Sequence, residues 1–141
     1  MRLKTPIGIE ALAEEHYDIL RRVNRLSKEA RTGGSRRTTA ELFSELESKL
    51  KGHFVEEENT LYRPLETVLG EDGPIMDMIE EHRMIQRSLV RAGAILWART
   101  GHQTHPSELQ RVCDSLDELI RSHIDKEEAV LFWLAAARGA I

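Results

Sequence analysis

A chain of 141 residues fits one domain, residues 1–141, large enough to bury roughly two-thirds of the surface its unfolded form exposes. Hydrophobic content of 40%, charged content of 31% and a net charge of -4 describe an ordinary folded protein, excluding disorder and a general affinity for nucleic acid. Met1 to Glu10 has no signal-like apolar stretch and the longest apolar run, Ala129 to Ala137, is nine residues, so no membrane partner and a cytoplasmic location are expected; Cys113 alone rules out an internal disulfide and any thiolate-based metal site.

Thr5-Pro6 caps a first helix expected over roughly residues 6–32, which Gly33-Gly34 ends. Its apolar stripe is Leu12, Ile19, Val23 and Leu26, and at 100° per residue His16 falls within that stripe. The basic residues Arg21, Arg22, Arg25, Lys28, Arg31, Arg36 and Arg37 lie mostly away from it and read as a solvated face. Thr38 and Glu41 form a capping box for a second helix, whose period continues through Leu42, Leu46, Leu50 and Leu61 to about Leu69 and carries His53 and Glu57 inward. Pro64 removes the hydrogen bond to the Thr60 carbonyl, so a kink is expected there.

Gly70 and Asp72-Gly73-Pro74 break the chain before a third helix marked by Ile75, Ile79, Ile85, Leu89 and Leu96, with His82 at its apolar centre, reaching about Arg99. A polar loop from Thr100 to His105, holding an exposed His102 and His105, leads to Pro106. Leu109, Val112, Leu116, Leu119, Val130 and Leu134 then mark a fourth helix to about Arg138, with His123 and Glu127 on its inner face. Met76, Met78 and Met84 read as helix filler, and Tyr17, Tyr62, Trp97 and Trp133 as core or rim aromatics. Short connections and the lack of period-two patterning predict an all-α, antiparallel up-down-up-down four-helix bundle.

The informative feature is a repeat. Glu14-Glu15-His16 is followed by His53 with Glu57 four residues on, and Glu80-Glu81-His82 by His123 with Glu127 four residues on; the offsets are 66 residues (82 minus 16) and 70 (123 minus 53). A histidine and a glutamate at i and i+4 share one helix face, so the two pairs can converge on one point of the core. Two carboxylates on apolar stripes need positive compensation, and no lysine or arginine occupies those inward positions. Metal cations are the simplest candidates. Four imidazoles and two carboxylates are too many donors for one tetrahedral zinc, and two metals bridged by Glu57 and Glu127 suit them better. Nitrogen and oxygen donors without thiolate favour iron, though manganese or zinc fits the same donor types. Each metal would receive two histidines and two carboxylate oxygens, leaving open positions for dioxygen, nitric oxide or peroxide. Two ferrous ions against two carboxylates leave the site doubly positive, which welcomes anions.

The set resembles the hemerythrin-like, HHE cation-binding family, four-histidine type, from His16 to Glu127. His53-Phe54-Val55-Glu56-Glu57-Glu58 with Leu61-Tyr62 and Pro64-Leu65 is similar to that family's second-helix signature, and His123 to Glu128 to its last. The resemblance implies a non-haem di-iron centre with His16, His53, His82 and His123 as terminal ligands and Glu57 and Glu127 as bridges. Oxygen carriers of that family have a fifth histidine on the third helix, where this chain has Met78 and Gln86, and an aspartate five residues after the last histidine, where it has Glu128 behind Glu127. The pattern is closer to proteins of the repair-of-iron-centres type, which respond to nitric oxide and oxidative stress and usually carry an N-terminal cysteine-bearing domain that residues 1–141 do not include. The expected function is binding or reaction with dioxygen, nitric oxide or peroxide in oxidative or nitrosative stress response or sensing. Whether this is an enzyme is left open, and the alternatives are iron storage or delivery and reversible oxygen binding.

Overall fold

The structure, a computed structural model, describes residues 8–33, 35–70, 73–97 and 106–138. Four long helical rods form an antiparallel up-down-up-down bundle. The first is α1 (Ile9–Thr32). The second is α2 (Arg36–Glu57), a π-helical turn (Glu58–Tyr62), and α3 (Arg63–Leu69). The third is α4 (Pro74–Leu96), and the fourth is α5 (Pro106–Lys126), a second π turn (Glu127–Phe132), and α6 (Trp133–Arg138). α1 packs on α2 and α5, and α4 closes the ring against the same two. No described helix is long and apolar enough to cross a membrane.

The ends follow from local chemistry. α1 stops at Gly33, whose φ of 72° is left-handed and therefore favours glycine. The expected capping box on Thr38 and Glu41 is displaced by one turn: Ser35 is the N-cap of α2, its hydroxyl accepting from the Thr38 amide at 3.0 Å. Gly73 and Pro74 open α4. Arg36, counted with the solvated basic face, donates to the Leu96 carbonyl at 2.7 and 3.1 Å and so satisfies the end of α4. The Thr5-Pro6 cap and the loop carrying His102 and His105 lie outside the described residues.

Just before Pro64, where a kink is expected, the second rod has a π turn. Proline is not its sole cause, because the fourth rod has a π turn at the equivalent place, where position 134 is leucine. Each π turn begins at or directly after the inward glutamate.

Two apolar clusters fill the bundle. One runs through Ile19, Val23, Phe43, Leu46, Ile85, Leu116 and Ile124; the other, toward the π turns, holds Leu12, Leu61, Leu65, Ile75, Leu131 and Ala135. In every rod an inward histidine or glutamate lies between residues of the two clusters, so the polar residues form a layer sealed from both sides. Tyr62 and Met78 are buried, but Tyr17, Trp97 and Trp133 are 70%, 58% and 66% exposed and are not core residues; Met76 and Met84 also face solvent. Their sites on the outer faces of amphipathic helices outweigh their apolar character.

Candidate metal centre

His16, His53, Glu57, His82, His123 and Glu127 are all buried, none more than 4% exposed. They meet in two groups of four, and each group contains both glutamates. The first pocket is His16, His53, Glu57 and Glu127; the second is His82, His123, Glu57 and Glu127. Within each group one donor atom per residue lies within 4.8 Å of the others. Each glutamate divides its oxygens between the pockets. Glu57 Oε2 is 2.9 Å from His16 Nε2 and 2.7 Å from His53 Nε2, while its Oε1 is 3.1 Å from His82 Nε2 and 4.0 Å from His123 Nε2. Glu127 Oε1 is 2.8 Å from His16 Nε2, and its Oε2 is 3.6 Å from His123 Nε2.

The residues fit metal ions better than they fit one another. His53 Nε2 and Glu127 Oε1 are buried without a hydrogen-bond partner, although oppositely charged neighbours stand within 3 Å in the wrong direction. His82 Nε2 and His123 Nε2 face each other at 3.0 Å, where at most one can carry the proton. Adjacent donors about an ion with bonds of roughly 2.1 Å stand about 3 Å apart, which matches the shorter of these spacings.

Outside the donors is a ring of carboxylates. The Nδ1 of His16 pairs with Glu128 at 2.7 Å, His53 with Glu15 at 2.6 Å, His82 with Glu58 at 2.8 Å and His123 with Glu81 at 2.9 Å. An Nδ1–H that donates outward fixes each ring and directs the Nε2 lone pair inward. The second acids of the Glu-Glu-His and His-x-x-x-Glu-Glu runs therefore orient the histidines of the adjacent rods. Sequence reading left these partners unassigned, although they are part of the repeat itself.

Tyr62 was also missed as a polar site residue. It is 1% exposed, its hydroxyl donates to Glu127 Oε2 at 2.5 Å, and it lies 3.0 Å from His82 Nε2. At 100° per residue, position 62 points away from Glu57. The i→i+5 bonding of the π turn widens the coil and brings it back over the site. The equivalent residue, 70 positions on, is Phe132, which stacks on His16 with centroids 5.4 Å apart. Phe54 stacks on His82 at 3.8 Å, and its equivalent is Ile124.

Without metal, protons supply the positive charge. Burial opposes charging His16, but the Glu127 and Glu57 carboxylates beside it outweigh it and push His16 up to about 10. His53 and His123 are raised against the same burial by Glu57. Burial would raise Glu57, yet the Glu127 carboxyl and the imidazoles of His123, His16 and His53 around it hold it well below the usual carboxylate range. Burial and the neighbouring Glu57 charge push Glu127 up to about 7. Burial, with the Glu57 and Glu127 charges, keeps the Tyr62 phenol protonated.

A helical bundle enclosing two buried His/Glu donor groups defines a non-haem metal-binding protein. The model of the hemerythrin HHE cation binding domain matches residues 7–135, and the chain belongs to that family. Neither curated proteins nor solved structures give a significant match to it.

Proposed function

We propose that the chain is a non-haem di-iron protein that binds or reacts with dioxygen, nitric oxide or peroxide, within oxidative or nitrosative stress response or sensing. One observation carries this reading: two four-donor groups share Glu57 and Glu127, with one oxygen of each glutamate turned to each pair of histidines. His16 and His53 would hold one ion and His82 and His123 the other, with Glu57 and Glu127 shared between them. Iron bound there supplies a redox-active Lewis acid with positions open to a small diatomic or peroxide.

The chain's own residues set the conditions for that chemistry. Glu15, Glu58, Glu81 and Glu128 hold the imidazoles in one tautomer and raise their basicity as donors. The apolar clusters on both sides exclude water from the layer. Entry of metal would displace the proton that His16 holds at neutral pH in its absence, so binding would release acid to the solution.

The test is metal analysis of protein expressed with iron and purified without oxygen, followed by optical titration with nitric oxide and dioxygen. Two irons per chain with a nitric oxide or dioxygen difference spectrum supports the reading. A single iron, or two irons indifferent to dioxygen, nitric oxide and peroxide, overturns it.

A further inference from the structure

Beside the inward histidines and glutamates, the Tyr62 hydroxyl of the second pocket has no counterpart in the first. Its oxygen lies 2.5 Å from Glu127 Oε2 and 3.0 Å from His82 Nε2, two atoms that face the second pocket. The 3.0 Å to His82 Nε2 is the separation of adjacent donors about one ion, so the hydroxyl fills space that an added ligand would take there. On the outer side of Tyr62 is a cavity of about 270 Å³, lined by Val55, Glu58, Asn59, Arg63 and Ile79 among others. Tyr62 lines it as well and so stands between this cavity and His82. The first pocket has Phe132 at the equivalent place, stacked on His16 with no polar atom to fill the same space.

We propose that Tyr62 closes the second pocket to exogenous small ligands and directs them to the ion held by His16 and His53. The inference rests on the two-metal reading above. The hydroxyl acts in two ways. It occupies the free space beside His82, and by donating to Glu127 Oε2 it ties that oxygen down so that the bridge cannot swing aside to admit a further ligand. In the first pocket no hydroxyl takes that space, and Glu127 Oε1, which faces it, has no hydrogen-bond partner. A small anion or diatomic therefore meets one available ion per chain.

Azide is the probe, titrated calorimetrically into protein loaded with cobalt(II), with metal content measured on the same samples. The wild type is expected to bind one azide per chain. Tyr62→Phe should bind two, because it opens the second pocket toward the cavity. Phe132→Tyr, which copies the hydroxyl into the first pocket, should bind none, and the double exchange Tyr62→Phe with Phe132→Tyr should bind one again. Two metals per chain with the same azide stoichiometry in the wild type and Tyr62→Phe overturns the inference and leaves the two-metal reading intact. Fewer than two metals in the wild type overturns both. If Tyr62→Phe does not fold, the Phe132→Tyr result decides: retention of one azide by a two-metal protein counts against the proposal.

Discussion

The His16/His53 pocket and the His82/His123 pocket are built from the same repeated motif, yet their surroundings differ at three equivalent positions. Tyr62 against Phe132 gives only the second pocket a hydroxyl, and Phe54 against Ile124 gives only its His82 a closely stacked ring. Glu56 against Lys126 makes the outer carboxylates unequal. Lys126 pairs with Glu81 at 2.7 Å, and together with the bond from His123 it overcomes burial to hold Glu81 below the usual range. At the other site Glu15 shares a hydrogen bond with Glu56, whose own carboxyl is raised by burial and by Glu15. The inward histidines and glutamates are kept twofold while the residues around them are not, so on the two-metal reading the two ions would differ in reactivity.

The most severe way to erase the comparison is to remove what the pockets share. Glu57→Gln with Glu127→Gln is expected to abolish binding of both metals and all metal-dependent gain in melting temperature. The metal-free protein should also lose stability near neutral pH, where the charged His16 is left without its carboxylate partners; calorimetry with and without iron checks both statements. Unchanged metal content would remove the bridges from the scheme.

Separating the pockets is the next step. His16→Ala is expected to leave one metal, held by His82 and His123, and His82→Ala to leave one held by His16 and His53, both read by metal analysis. Loss of both metals from either variant would show that the pockets do not load independently.

The outer carboxylates give smaller, graded effects. Glu15→Gln and Glu81→Gln, at 24% and 20% exposure, should each weaken metal affinity by about 10–100-fold. Glu58→Gln and Glu128→Gln, at 43% and 42%, should cost less, since water can replace an exposed acceptor. Competition with a chelator ranks the four, and the reverse order would contradict the orienting role.

Acidity sharpens the contrast between metal-free and metal-bound states. His16 has a folded-state value near 10, above its ordinary 6.5, so its contribution to metal-free stability is complete below about pH 6.5 and is lost as pH rises toward 10. Glu57 is shifted the other way, and its contribution is lost on acidification. Metal affinity should rise over the window in which His16 loses its proton, so stabilisation by metal should grow from about pH 6.5 to 10. Chemical unfolding at a series of pH values, with and without metal, reads the two slopes, and parallel slopes would refute the proton-for-metal exchange. The smallest expected effect is Glu56→Lys, which gives Glu15 the kind of partner Glu81 has in Lys126 and should stabilise by about 0.2–1 kcal/mol, lost in high salt.

Most of the architecture was legible in the chain because amphipathic periodicity is a local property. Leu12, His16, Ile19 and Val23 share one face of a regular helix whatever surrounds it, and the glycines at 33 and 73 mark its breaks. The family was equally legible, since the spacing from His53 to Glu57 repeats from His123 to Glu127. The capping of α2 was read one turn late because Ser35 and Thr38 are both good caps, and only the path of the chain after Gly33 chooses between them.

The sequence by itself determined the bundle, the inward face of each helix and the four histidines and two glutamates on those faces, because each depends on residues within a few turns of one another. Tertiary structure decided the rest: that Glu15 serves His53 and not its own neighbour His16, that Glu128 crosses to His16, and that Tyr62 turns inward beside His82. The first two are contacts between rods, set by how the helices pack side by side. The third depends on a π turn, a change of helical pitch that a fixed 100° step cannot register.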